Sequence, residues 1–253
     1  MIRFLPHLAL AGALLLSSCS ADSGEQAQAS RQTTAAGADS PSAPPKTPGE
    51  ALITRLTWPQ PPKGDFAPQE ECAKLQGSYD FRIALADAVL ARDADALLAL
   101  VADDVALDFG GGAGKAELTR RLNDKAFAMW DRLEALLPLG CGSDRADYLV
   151  IPSFFNRDIG AVDSYMAMVV TGSDISLLND PVRDAEVIRP MSWELVELVR
   201  SLKPDEPYQL VTAISDGARG FVATERLRSL LDYRVLAERR EGEWKVTALI
   251  AGD

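Results

Sequence analysis

The stretch DFGGGAGKAEL, residues 108–118, gathers residue types that could hold a phosphate: clustered glycines followed by a lysine. A phosphate loop needs the spacing G-x-x-x-x-G-K-[ST], so that backbone amides surround the phosphates and the hydroxyl holds magnesium. Here Gly110 to Lys115 is one residue short, and Ala116 stands in the hydroxyl position. No G-x-G-x-x-G dinucleotide pattern is present either. The stretch reads as a strand-to-helix connection whose glycines supply positive φ. The other chemistry-bearing residues are few: one histidine, His7, and three cysteines, Cys19, Cys72 and Cys141.

The chain's beginning decides what these can do. Arg3 is followed by an apolar run, Phe4 to Leu16, too short to span a bilayer as a mature helix, which reads as a secretory signal. The run ends in LSSC, Leu16 to Cys19, which resembles the bacterial lipobox. The resemblance implies cleavage before Cys19 and diacylglycerol on its sulfur. Two or three acyl chains such as palmitate then give a stable membrane anchor. Ser20 at the next position resembles the routing signal for the outer membrane of a Gram-negative cell.

Such cleavage removes His7, and with it any Ser-His-Asp or Cys-His machinery and any histidine-ligated metal. No cofactor and no metal site are expected. Arg3 is the only charged side chain among residues 1–18, so the formal charge goes from −11 to −12 on maturation. That balance argues against nucleic acid and against polybasic attachment to lipid. Cys72 and Cys141 remain as an even pair in an exported chain and read as a disulfide rather than as two buried thiols.

Stepping along the chain, residues 19–65 are rich in Ala, Ser, Gly, Pro, Thr and Gln and read as a disordered tether. Such a tether reaches about 40 Å. Periodic apolar residues at Phe81, Leu85 and Val89 and then at Leu97, Leu98 and Val101 predict two helices, the second capped by Asp93. VALDF (105–109) and YLVIPSFF (148–155) read as strands. One helix is predicted over 115–137, stopped by PLGCG. LDYRVLAERREGEWKVTALIAGD (231–253) reads as two alternating strands joined at EGE.

The order helix, helix, strand, glycine, helix, with the closing G-x-W-K-V cadence, resembles nuclear-transport-factor-2-like domains, in which helices close over a curved sheet. In members that are enzymes, acidic residues inside the cone act as bases or hydrogen-bond partners, which makes Asp103, Asp104 and Asp108 candidates. Asp103 and Asp104 also fit a solvated turn.

The part between has a different texture: short, valine-rich runs punctuated by turns. It resembles the bacterial Src-homology-3 domain. The matching motifs are Ile175 to Pro181, VIRPMSWELVELV (187–199), Tyr208 with Val211, and Asp216-Gly217 followed by Gly220-Phe221-Val222 and Leu227. Members bind cell-wall peptides or peptidoglycan through loop and aromatic residues, which points to Tyr208, Phe221, Asp180 and Asp216. Core packing suits Tyr208 and Phe221 as well, and the two aspartates are turn formers. Trp193 is expected to seal the barrel against the helical part.

The expected architecture is α+β: helices packed on an antiparallel sheet, with a small all-β Src-homology-3-like barrel inserted before the C-terminal hairpin. Its parts are a signal peptide (1–18), the tether (19–65), a helical, cone-like part (66–165), the barrel (166–229) and a hairpin (230–253) that completes the first domain. A 175–228 fragment is expected to fold alone. The expected protein is non-catalytic and lipid-anchored through Cys19 in the cell envelope, on the periplasmic face of the outer membrane. Its expected partner is peptidoglycan or an envelope protein. The alternative is a small-molecule binder or a carboxylate-based enzyme using the cone-like part.

Overall fold

The computed structural model describes residues 45–57 and 62–252. The expected signal peptide, Cys19 and most of the expected tether lie outside the described residues.

The segment assigned to the tether carries a helix, α1 (Pro48–Leu56), which corrects the 19–65 boundary. TPGE holds the start signal: the Thr47 hydroxyl accepts the Glu50 amide at 3.1 Å, and Pro48 opens the first turn. Ile53 is buried in the main core, with Leu52 and Leu56 packed against it. Gly49 lies so close to the next helix that an added Cβ would come within 2.8 Å of the Ile83 carbonyl oxygen and the Asp87 amide nitrogen. The abundance of Pro and Ser around it hid a short amphipathic helix.

Helices α2 (Ser78–Leu90) and α3 (Ala94–Ala99) form as expected, and the Asp93 carboxylate accepts the Ala96 amide at 3.0 Å. Strand β1 (Val101–Ala106) begins four residues before the expected VALDF. It ends early because the Asp108 carboxylate folds back to accept the amides of Gly110 and Gly112, each at 2.8 Å. Asp103 and Asp104 are therefore exposed strand residues and not a turn.

The single helix expected over 115–137 is two, α4 (Lys115–Asn123) and α5 (Met129–Leu136). Asp124 caps a short 3-10 turn through the Ala126 amide at 3.0 Å, and Ala128 takes φ 44°, a left-handed conformation no continuing helix allows. The apolar spacing runs on through the break because both helices face one core.

After β2 (Tyr148–Ile151) come seven short strands: β3 (Ala167–Val170), β4 (Ile175–Leu178), β5 (Val187–Met191), β6 (Leu195–Leu198), β7 (Tyr208–Ala213), β8 (Arg219–Ala223) and β9 (Leu227–Ser229). The chain closes with β10 (Arg234–Arg240) and β11 (Glu243–Ile250), joined at Glu241-Gly242 with both φ positive, as a tight hairpin turn requires.

The strands make two sheets. The first runs β1-β11-β10-β2, so the C-terminal hairpin lies between two strands that precede the second sheet in the chain. It is mixed and not purely antiparallel, because β1 and β11 pair in parallel. Parallel partners need a long connection, and here 136 residues separate the end of β1 (Ala106) from the start of β11 (Glu243). The second sheet runs β5-β4-β8-β7-β6-β3-β9 and is antiparallel throughout. Only residues 192–194 separate β5 from β6, so the pairing path from β5 through β4, β8 and β7 returns to where it began.

The two sheets are not separate bodies. Met168 and Val170 of β3 face the core of the second sheet, whereas Ala167 and Val169 face the main core under the helices. Leu195 and Leu230 join the main core too, and Trp193 packs against it. Trp193 sits at the β5–β6 kink with φ 48°, and its carbonyl accepts the Phe66 amide at 3.0 Å. Gly64 (φ 118°) comes so close to Ser192 that a side chain there would collide. A 175–228 fragment omits β3, which pairs with both β6 and β9.

On the helical side a disulfide joins Cys72 and Cys141, with Cα atoms 5.7 Å apart. Backbone bonds flank it, from the Cys141 amide to the Gln69 carbonyl at 2.8 Å and from the Glu71 amide to the Cys141 carbonyl at 2.9 Å.

Candidate functional site

The four ligand-binding candidates all belong to the second sheet, but the aspartate of the β7–β8 turn lies at the opposite end of β7 from Tyr208. Tyr208 and Phe221 lie on adjacent strands, with Leu210 opposite Phe221 and Ala223 opposite Tyr208. Side chains alternate along a strand, so these four share one face. Along β7 the burial alternates between half-buried Tyr208, Leu210 and Thr212 and buried Gln209, Val211 and Ala213. Tyr208 and Phe221 thus occupy the outer, half-buried face, and the core is filled by Val211, Ala213 and Val222.

Asp180 is exposed in the loop after β4, two residues past Leu178, which pairs with Phe221. Its carbonyl accepts the Val182 amide at 2.9 Å. Asp216 lies in the Asp-Gly turn between β7 and β8, where its carboxylate accepts the Ala218 amide at 2.9 Å. It also pairs with Arg189 of β5 at 2.8 Å, and Arg189 pairs with Glu194 at 2.9 Å. The Ala218 amide and then Arg189 hold the Asp216 carboxyl below its usual range, and the Arg189 hydrogen bond does the same for Glu194. Asp216 therefore clasps the hairpin turn to the kinked β5–β6 segment, away from the aromatic pair. The sequence carried no signal for Arg189 or Glu194, which meet across the β5–β6 kink at Trp193.

The other three carboxylates are taken up at the first sheet's edge. Asp103 pairs with Lys115 at 2.8 Å and Asp104 with Arg240 at 3.1 Å. Asp108 pairs with Arg121, which also holds Glu117 at 2.7 Å. These bonds pull Asp103 and Asp108 below the ordinary carboxylate range, chiefly through Lys115 and Arg121. Asp103 and Lys115 border an open groove of about 560 Å³ with Glu243 and Lys245, themselves 3.3 Å apart. Depressed and ion-paired, Asp103 and Asp108 are poorly suited to take up protons near neutrality.

Under the helices the space is filled. Phe81, Leu85, Val89, Leu97, Val101, Leu118 and Leu133 pack there against Trp244, whose indole N–H donates to the Gln76 carbonyl at 2.9 Å. Among the described residues, the buried polar and charged side chains are Ser78, Arg82, Arg121, Ser153, Gln209 and Arg234, with no aspartate or tyrosine. Arg82 pairs with Glu70 beside the disulfide, and both side chains are less than a tenth exposed. Among the described residues no group of three His, Cys, Asp or Glu side chains could hold a metal ion, and no helix is long and apolar enough to cross a membrane.

Compared with known proteins, the chain matches no protein-family model and no curated protein.

Proposed function

We propose that this is a lipid-anchored cell-envelope protein whose second sheet is a Src-homology-3-like barrel that binds the cell wall or an envelope protein. The observation that carries the reading is the pairing order of β3 to β9, with a 3-10 turn (Thr224–Arg226) between the last two strands and an aromatic-bearing outer face on β7 and β8. That order fits the Src-homology-3 motifs quoted above, and the half-burial of Tyr208 and Phe221 on the outer face supports them as the contact residues. The LSSC motif supports anchoring through Cys19 at the periplasmic face of the outer membrane. The first sheet and its helices, related on this reading to nuclear-transport-factor-2-like domains, act as the base that carries the barrel.

The test is sedimentation of the full chain with purified peptidoglycan, alongside Tyr208→Ala/Phe221→Ala. Co-sedimentation of the wild type and its loss in a variant that still melts cooperatively support the cell wall as ligand. Equal sedimentation of both proteins removes the aromatic face from the reading. No sedimentation of either shifts the partner to an envelope protein, to be sought by crosslinking in cells through a photoreactive residue at Tyr208. Absence of acyl mass on Cys19 would remove the anchor.

A further inference from the structure

A cleft of about 250 Å³ opens where α5 meets the connection from β9 to β10, and Ala128, Arg132, Arg228, Asp232 and Tyr233 border it. Ala128, in the left-handed turn between α4 and α5, forms part of its wall. Clefts at the seam between structural units are where small-molecule sites concentrate.

Two arginines of this cleft converge on one carboxylate. Arg228 is 13% exposed, pairs with Asp232 at 3.2 Å and donates to the Tyr233 carbonyl at 2.8 Å. Arg132, on α5, must share that same carboxylate, which it approaches only to 4.0 Å, too far for a hydrogen bond. Its Nε donates to the Phe127 carbonyl at 2.8 Å and its guanidinium stands 4.7 Å from the Tyr233 ring centre. The cleft's other carboxylate, Asp131, is paired with Arg92. Asp232 also accepts the Tyr233 amide at 2.6 Å, which further spreads its charge. Two guanidiniums thus lean on one carboxylate. Burial lowers the Arg228 pKa, the repulsion from Arg132 adds to that, and Asp232 opposes both. A second anion would relieve this.

We propose that the α5 seam is a binding site for a small oxyanion, the carboxylate or phosphate group of a ligand, held by the terminal nitrogens of Arg132 and steadied by Arg228. A planar guanidinium with free terminal N–H groups binds either group in two parallel hydrogen bonds. The site does not depend on the aromatic face of the second sheet, so the two can fail separately.

Calorimetric titration of the full chain with acetate and with inorganic phosphate, at constant ionic strength made up with chloride, tests this. At least one should bind saturably at a single site, and the one that binds tighter identifies the ligand's anionic group. Arg132→Gln, at a side chain 44% exposed, should leave the melting temperature nearly unchanged and weaken binding about tenfold. Asp232→Asn should tighten it, because the competing carboxylate is gone, whereas a purely structural role for Asp232 predicts no gain. Tyr208→Ala/Phe221→Ala should bind the anion like the wild type. Absence of saturable binding by either anion, or equal binding by Arg132→Gln, would overturn the proposal.

Discussion

The two sheets are built in opposite ways. The first joins β1, at residue 101, to β11, at residue 250, through a parallel pairing, and a disulfide spanning 69 positions ties down the segments beneath it. The second is assembled wholly from residues 167–229, one continuous stretch of chain, although β3 pairs with β9 and β4 with β8 across its length. A continuous segment suggests independence, yet the second sheet shares the main core. Both faces of β3 are buried, one in each core, and Val169 and Leu195 have no cover unless the helices are present. The first sheet owns the larger core, and the second uses that core as its floor. Continuity along the chain and autonomy of folding are therefore different properties.

Truncation after Ser229 breaks this comparison hardest. It removes β10 and β11, the two central strands of the first sheet, and with them Val235, Trp244, Val246 and Leu249 from the main core. Both sheets should be lost, and circular dichroism on heating should show no cooperative transition. Survival of a second-sheet melt would show that it stands alone. The converse fragment, 175–228, should also give the narrow amide dispersion of an unfolded chain in NMR.

A smaller wedge is Val169→Asp. This side chain is fully buried at the seam, and an unpaired carboxylate there costs several kcal/mol. Calorimetry should show one transition for the wild type and one, at much lower temperature, for the variant. Two resolved transitions in either protein would argue against a shared core.

Replacing both Cys72 and Cys141 by Ala removes the cross-link at the edge of the main core. The closed loop is long, so the chain-entropy cost is about 4 kcal/mol. Chemical denaturation should read this as a lower midpoint with a single transition. An unchanged midpoint would mean that the flanking backbone bonds at Gln69 and Glu71 already fix the junction.

Acid provides the mildest probe. Hydrogen bonds from Arg120 and Arg121 pull Glu117 from 4.5 down to about 2, Arg121 lowers Asp108, and Arg189 lowers Glu194. A carboxylate with a depressed folded pKa stabilises the fold above its unfolded value and loses that contribution as pH falls through the folded one. The melting temperature should stay level from pH 7 to about 5 and decline from about pH 4.5 towards 2 as these pairs are protonated. Added salt should blunt the loss, since Glu117 and Asp108 are near the surface. A melting temperature that rises below pH 4.5 would contradict these ion pairs.

Much of this organisation is legible in the residues alone. Asp93 marks a helix start by offering its carboxylate to the next turn, Asp216-Gly217 and Glu241-Gly242 mark turns because glycine accepts positive φ, and alternating apolar residues mark the C-terminal hairpin. The even pair Cys72 and Cys141 announces its bond. Each of these is a local signal, readable because backbone stereochemistry and nearest-neighbour hydrogen bonding decide it. The break at Ala128 was hidden because the apolar period continues through it, and helix α1 because its start signal is only TPGE within proline-rich surroundings. The parallel pairing of β1 with β11, the two-sided burial of β3 and the meeting of Arg132 with Arg228 over Asp232 lie beyond any local pattern. They follow from which surfaces the whole chain must cover at once, and only the packed structure sets that balance of burial and charge.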